Sequence, residues 1–301
     1  MKKLFYLPLW FLRAKFLGRR APLQTVLFIN NQCNLACRHC NIYSREAPIV
    51  KSFATIREEL AYAHALGSRF VDFEGGEPTL WREGERDLNS LIRLAKELGF
   101  YSATVTTNAQ ADFQHCEADS IWVSLDGVNG GHDRIRGEGT FERLRKNIAS
   151  SGHPRLSVNM VVNSLNYKEV RDTIEFAAQN PHIRSISLNF HTPFPGTEDL
   201  FLDWETRSAV IDEIIALKKA GRPIMNSLSG LKLMKGEPFA KCCWVTNFIM
   251  PDGERLPQCQ GQAANVCDRC GFCMAGEMRS VFSLKPDTIL AGLKLRMGEG
   301  R

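Results

Sequence analysis

No stretch of this 301-residue chain is apolar for long enough to cross a bilayer. Residues 4–12 come nearest, and nine residues fall far short of the roughly 20 that a spanning helix needs. No small-x-small cleavage site follows that stretch. Arg13, Lys15, Arg19 and Arg20 come at once, which argues against a secretory leader. No run of Lys or Arg is long enough to form a nucleic-acid stripe, and the formal net charge is only +5. Internal repeats and low-complexity tracts are missing too. With 44% apolar and 24% charged residues, the composition is that of a globular protein with ample material for a core.

Cysteine, by contrast, is abundant. There are ten: Cys33, Cys37 and Cys40 near the start, six between Cys242 and Cys273, and Cys116 alone. Spacings of two and three residues favour metal over disulfides. Thiolates of that kind point to a reducing compartment, here the cytoplasm. Cys116, beside His115 in a loop-like stretch, reads as a free thiol. The N-terminal apolar segment and its trailing cations read as an amphipathic helix lying on the inner face of a membrane, or as one packed across the end of the domain.

After Ala21, strand-like and helix-like runs alternate. Apolar, β-branched runs fall at 26–29, 70–73, 102–106, 121–125, 156–162 and 183–190. Helical periodicity falls at 56–66, 88–98, 141–148, 170–178, led by Asn166 as a cap, and 209–220. Six strands with crossover helices predict an α/β fold with a parallel sheet, whose ligands bind at the carboxyl ends of the strands. The composition shifts near 230–241, where a loop-rich region begins. The expected division is 1–20 amphipathic segment, 21–229 sheet domain and 230–301 cysteine-rich region.

Cys33, Cys37 and Cys40 follow the first strand-like run with spacing Cys-x3-Cys-x2-Cys. Three thiolates are one short of the four that close a [4Fe–4S] site. The fourth iron then suits the amino and carboxylate groups of S-adenosylmethionine (SAM). One electron passed to the nearby sulfonium breaks a C–S bond and frees a 5′-deoxyadenosyl radical, chemistry that belongs to the cofactor. Zinc with His39 as fourth ligand is the alternative, although the adjacent His39 and Cys40 are poorly placed to point at one ion.

These residues resemble the radical SAM superfamily, whose hallmark is this cysteine triad after the first strand of a partial (β/α)6 barrel. His39 stands where that family usually has an aromatic residue. Further motifs follow in the family's order. Gly75, Gly76 and Glu77 precede Pro78 and match the segment that engages the methionine amino group. Asn108 ends the third strand, and Ser124 and Asp126 end the fourth. Arg136 lies in a segment similar to that of the peptide- and lipid-modifying branches, where it would bind the cofactor carboxylate. Asn159 falls where the family contacts adenine and ribose, and Asn189 ends the sixth strand.

The tail resembles the superfamily's auxiliary-cluster regions in their short, single-cluster form. Four of Cys243, Cys259, Cys267, Cys270 and Cys273 would fill one cubane, with Cys242 as a rival to Cys243 and a zinc ribbon as the alternative. An Asp252-Gly253 turn would bring Cys243 and Cys259 together. Short stretches, 13–20 and 267–270, are similar to the adenosylhopane-synthase type, which implies a lipid or isoprenoid substrate. A peptide maturase is the alternative enzyme, and a zinc-binding regulator or nucleic-acid module the alternative outside enzymes. The resemblance implies a [4Fe–4S] catalytic cluster, a second auxiliary cluster and SAM as cofactors. It also implies reduced flavodoxin or ferredoxin as electron donor, and no nucleic acid.

Overall fold

The computed structural model describes residues 2–43, 46–236 and 238–297. Met1, which begins the expected amphipathic segment, and residues 298–301, which end the expected cysteine-rich region, lie outside them.

The order of elements is helix α1 (Lys2–Phe16), strand β1 (Gln24–Phe28), α2 (Phe53–Leu66), β2 (Phe70–Glu74), α3 (Leu88–Glu97), β3 (Ser102–Thr107), β4 (Ser120–Ser124), α4 (Gly131–Arg136), α5 (Thr140–Ser151), β5 (Leu156–Val162), α6 (Val170–Gln179), β6 (Ile186–Phe190) and α7 (Trp204–Lys219). The tail adds α8 (Leu228–Leu233), β7 (Thr246–Ile249), β8 (Arg255–Leu256), α9 (Gln260–Ala263), α10 (Met274–Phe282) and α11 (Pro286–Met297). Strands β1 to β6 lie parallel in sequence order, the arrangement of a partial (β/α)6 barrel.

Alternation along the strands sorts the side chains. Leu27, Phe73, Val105, Val123, Val158 and Leu188 are buried against Ile56, Leu60, Leu91, Ile92, Leu144 and Ile174 of the helices. The intervening residues, Asp72, Glu74, Thr104, Thr106, Trp122, Ser124, Asn159 and Asn189, face the other side and are only half-buried. Strands of an all-parallel sheet usually read as nearly continuous apolar runs because both faces are dry. Here one face is polar, and it lines the inside of the barrel.

Two features differ from the sequence reading. Asn166 does not cap α6: its side chain donates to the carbonyls of Asp126 (2.9 Å) and Val161 (3.0 Å). The cysteine-rich region also joins the barrel, since β7 pairs in parallel with β1 and β8 returns antiparallel to β7. The turn between them uses Gly253 at φ 88°, where a side chain would be strained.

Helix α1 lies across the amino ends of the strands. Trp10 and Ala14 are buried with Leu23, Phe70, Val245 and Phe282, and Trp10 Nε1 donates to the Ala21 carbonyl at 2.8 Å. Among the described residues, no helix is long and apolar enough to cross a membrane.

Candidate active site

The opposite end of the barrel, at the carboxyl ends of the strands, gathers the cysteine triad. Backbone N–H groups turn toward the sulfurs. Leu35 N donates to Cys33 Sγ at 3.4 Å, and Ile42 N and Tyr43 N donate to Cys40 Sγ at 3.4 Å each. Asn108 Nδ2 lies 3.5 Å from Cys33 Sγ, and Arg136 Nη1 lies 3.8 Å from Cys37 Sγ. As free thiols, Cys33 and Cys37 disfavour ionisation: burial pushes Cys33 up to about 11, with Glu77, Cys37 and Cys40 adding to it, and burial likewise raises Cys37. The mutual effect of the three thiols means that they share one small volume. Thiolates surrounded by N–H donors and a guanidinium fit a metal cluster that takes up their charge.

The Gly75-Gly76-Glu77 loop packs closely against the loop after β1. A Cβ on Gly75 would lie 2.5 Å from Asn30 Oδ1, and one on Gly76 would lie 2.2 Å from the Gln32 carbonyl oxygen. The glycines therefore allow this loop to close on the loop after β1. Gly76 N donates to the Asn30 carbonyl (2.9 Å) and Glu77 N to the Gln32 carbonyl (2.8 Å). The Glu77 carboxylate is fully buried, and it accepts from Thr79 N (3.1 Å), Thr79 Oγ1 (2.5 Å), Thr107 Oγ1 (2.7 Å) and Asn108 N (2.7 Å). With four protein donors on two oxygens, it clamps β2 to β3 and sets Asn108 beside Cys33.

Asp126 and Arg136 likewise meet each other. Arg136 Nε donates to Asp126 Oδ2 at 2.7 Å, and Val161 N donates to Asp126 Oδ1 at 2.9 Å. Burial works to raise the Asp126 pKa, but Arg136, His39, His132 and the Val161 amide together hold it below the usual carboxylate range. This ion pair is buried. His132 Nδ1 accepts from Asp126 N at 3.1 Å, while His39 Nδ1 has no hydrogen-bond partner. Burial lowers His39 to about 4.

Ser124 and Asn159 sit side by side in register on the polar face. Asn189 donates from Nδ2 to Asn159 Oδ1 (2.8 Å), and its Oδ1 accepts from the Cys273 amide (2.9 Å), so it bonds the barrel to the tail. The sequence reading missed Asp72 and Glu74. Burial, with Asp72 close by, pushes Glu74 up to about 8. The available signal was two acidic residues inside an otherwise apolar strand.

In the tail, the β7–β8 hairpin brings Cys243 to Cys259, whose thiol is drawn down to about 6 chiefly by a hydrogen bond from Cys243. Cys267 and Cys270 also act on Cys243 through their charge. Cys273 is buried in the hydrophobic core at the start of α10. Cys242 faces the other way, toward Arg279, Arg20 and Lys15. Cys243, Cys259, Cys267 and Cys270 thus act on one another, and Cys273 is tied to them through Cys270. Among the described residues, no three His, Cys, Asp or Glu side chains close around one metal-ion position, whereas the outer sulfurs of a cubane stand further apart.

A model of the Radical SAM superfamily matches residues 27–177, half of the chain. A probable GTP 3′,8-cyclase of Saccharolobus solfataricus is 26% identical over 82% of this chain and 86% of its own length. A PqqA peptide cyclase of Methylobacterium nodulans is 27% identical over 52% of this chain and 44% of its own. Among solved structures, Streptococcus suis SuiB bound to S-adenosylmethionine superposes with a TM-score of 0.64 at 17% identity, covering 92% of this chain and 68% of SuiB. Against SuiB bound to its precursor peptide SuiA, this chain spans 64% of the SuiB chain. A match that starts on the strand delivering the three cysteines, and runs through the strands that surround them, makes this chain a member of the radical SAM superfamily, an enzyme whose cofactors are a [4Fe–4S] cluster and S-adenosylmethionine.

Proposed function

We propose that this enzyme uses SAM cleavage to attack an unactivated carbon of a substrate whose reacting end is polar and enters the barrel. The polar inner face carries this reading: Asp72, Glu74, Thr104, Thr106, Ser124 and Asn159 occupy positions that apolar residues would fill in a closed core. Bound by Cys33, Cys37 and Cys40, the catalytic cluster would supply the electron that breaks the sulfonium C–S bond and yields a 5′-deoxyadenosyl radical. The chain's own residues supply placement. Glu77, Gly75 and Gly76 hold the cysteine loop against β2 and β3. The Asp126–Arg136 pair fixes β4 and β5 beside Cys37. Asn108, Ser124 and Asn159 are the polar groups left at the mouth to orient the cofactor. The surrounding sheet excludes water from the radical. Cys243, Cys259, Cys267 and Cys270 would hold an auxiliary cluster, and reduced flavodoxin or ferredoxin would supply electrons.

A peptide suits this interior best. The acidic pair of Asp72 and Glu74 inside the barrel, with the Glu74 pKa raised to about 8, favours a substrate with cationic or hydrogen-bonding groups and disfavours a polyanion such as GTP. Peptides are named in the titles of the PqqA cyclase and the SuiB–SuiA complex. A lipid is the second reading, supported by the outward face of α1, where Phe5 is 71% and Phe16 63% exposed. That face, however, lies at the far end of the barrel from the cysteine triad.

Anaerobic reconstitution tests the reaction and the cluster count. The expected result is about eight irons per chain, from two cubanes, and 5′-deoxyadenosine on reduction with SAM. Zinc in place of iron, or no cleavage, would refute the proposal. Comparative mass spectrometry of peptides and lipids, from cells with and without the chain, then separates the two substrate classes.

A further inference from the structure

Arg207, near the start of α7, is the largest charged side chain in the fully buried interior and is only 1% exposed. None of its three guanidinium nitrogens has a hydrogen-bond partner. Its carbon centre stacks 4.5 Å from the Phe190 ring and 4.8 Å from the Trp204 ring. Stacking satisfies the faces of a guanidinium. It leaves unmet the five N–H bonds, which point out from the edge in the guanidinium plane. Arginine does not shed its proton to escape burial, so the charge stays and needs an anion. Among the described residues, no carboxylate forms an ion pair with it. The charges that act on it are those of Cys273 and Cys270.

We propose that Arg207 is the counter-cation of the auxiliary cluster and favours its reduced state. A cubane carrying four thiolates is an anion, and reduction adds one more negative charge, so a fixed cation alongside stabilises the reduced form more than the oxidised one. The same support holds both partners. Phe190, which stacks on Arg207, donates its N–H to the Gly271 carbonyl at 2.9 Å, and Gly271 N donates to Thr192 Oγ1 at 2.9 Å. The loop that carries Cys270 is thereby fixed to the strand end on which Arg207 rests. This inference rests on the auxiliary cluster proposed above, and iron content distinguishes failure of one from failure of the other.

The test is a potentiometric titration of the reconstituted enzyme followed by electron paramagnetic resonance. In Arg207→Met the reduction equilibrium of the tail cluster should fall at least tenfold, about 59 mV for a one-electron couple, while the catalytic cluster stays put. Arg207→Lys keeps the charge and should lie closer to wild type. Thermal unfolding of the cluster-free chain gives an independent measurement. There Arg207→Met should raise the midpoint, since it removes an unpaired buried cation, and it decides the matter if the variant does not load a cluster. An unmoved potential with both clusters present, or a cluster-free variant that melts below wild type, overturns the assignment. Four irons in the wild-type enzyme overturn the auxiliary cluster itself, and this role with it.

Discussion

Single carboxylates in this protein differ in whether the fold satisfies them. Glu77 and Asp126 are both fully buried, and each is surrounded by donors, so each fixes the position of a cysteine neighbour. Glu277 on α10 is less well served. It accepts from Ser227 N at 2.8 Å and crowds Gly230, where a Cβ would lie 2.4 Å from its Oε1. Burial raises its pKa from 4.5 to about 7, with hydrogen bonds from Ser227 and the charge of Lys218 only partly offsetting the shift. The folded protein therefore binds this proton more tightly than the unfolded chain does. Stability should be highest below the ordinary carboxylate range and decline as pH rises through 7. Glu277→Gln should flatten that decline by about 1–2 kcal/mol between pH 5 and 8, the shift being worth at most about 3 and solvent reaching one side of the carboxylate. Urea titrations of the cluster-free protein at the two pH values measure it, and parallel curves for variant and wild type would refute it. At this scale the sequence was legible in residue type but not in partner. Glycines, acids and cysteines stood at the expected positions, yet nothing local to Glu77 shows that Thr79, Thr107 and the Asn108 amide would occupy its oxygens. Those contacts join residues up to 31 positions apart.

At the scale of elements, the six core strands lie where alternation placed them, because each needs only its own apolar face and the turn residues beside it. The tail was less legible. Strand β7 is four residues long and β8 two, too short to carry a period, and the pairing of β7 with β1 depends on a free sheet edge far away in sequence. Helices α8, α9 and α10 are six, four and nine residues long, too short to show a clear helical period. A glycine of the tail sets a sharp test. A Cβ on Gly271 would lie 1.8 Å from the Phe190 carbonyl oxygen, a backbone atom that cannot give way. On Gly261 it would meet Cys259 Sγ at 3.6 Å, ordinary contact. Gly271→Ala should therefore push the Cys270 loop off the strand end and lower iron from about eight to about four per chain. Gly261→Ala should keep both clusters. Equal iron in the two variants would show that the loop does not need its dock on Phe190.

Over the whole molecule, the barrel has two differently closed ends. The cysteine triad and the polar inner face open at the carboxyl ends of the strands, while α1 closes the amino ends. The apolar and cationic residues of the first twenty positions allowed either a membrane-surface helix or a packed cap, and the fold makes α1 a cap with a second, outward face. Trp10 and Ala14 turn inward, while Phe5, Leu9, Leu12 and Phe16 stay exposed beside Arg13 and Lys15. Apolar side chains flanked by cations suit an anionic lipid surface. If α1 lies on such a surface, the open end of the barrel points away from it, and binding and catalysis should separate. Phe5→Ser with Phe16→Ser should abolish sedimentation with anionic vesicles and leave SAM cleavage in solution unchanged, since neither side chain is part of the buried cluster around Trp10. Vesicle binding that survives both substitutions would remove α1 as the contact. Loss of cleavage in solution would instead mean that the outward face supports the barrel, and that the two ends are not independent.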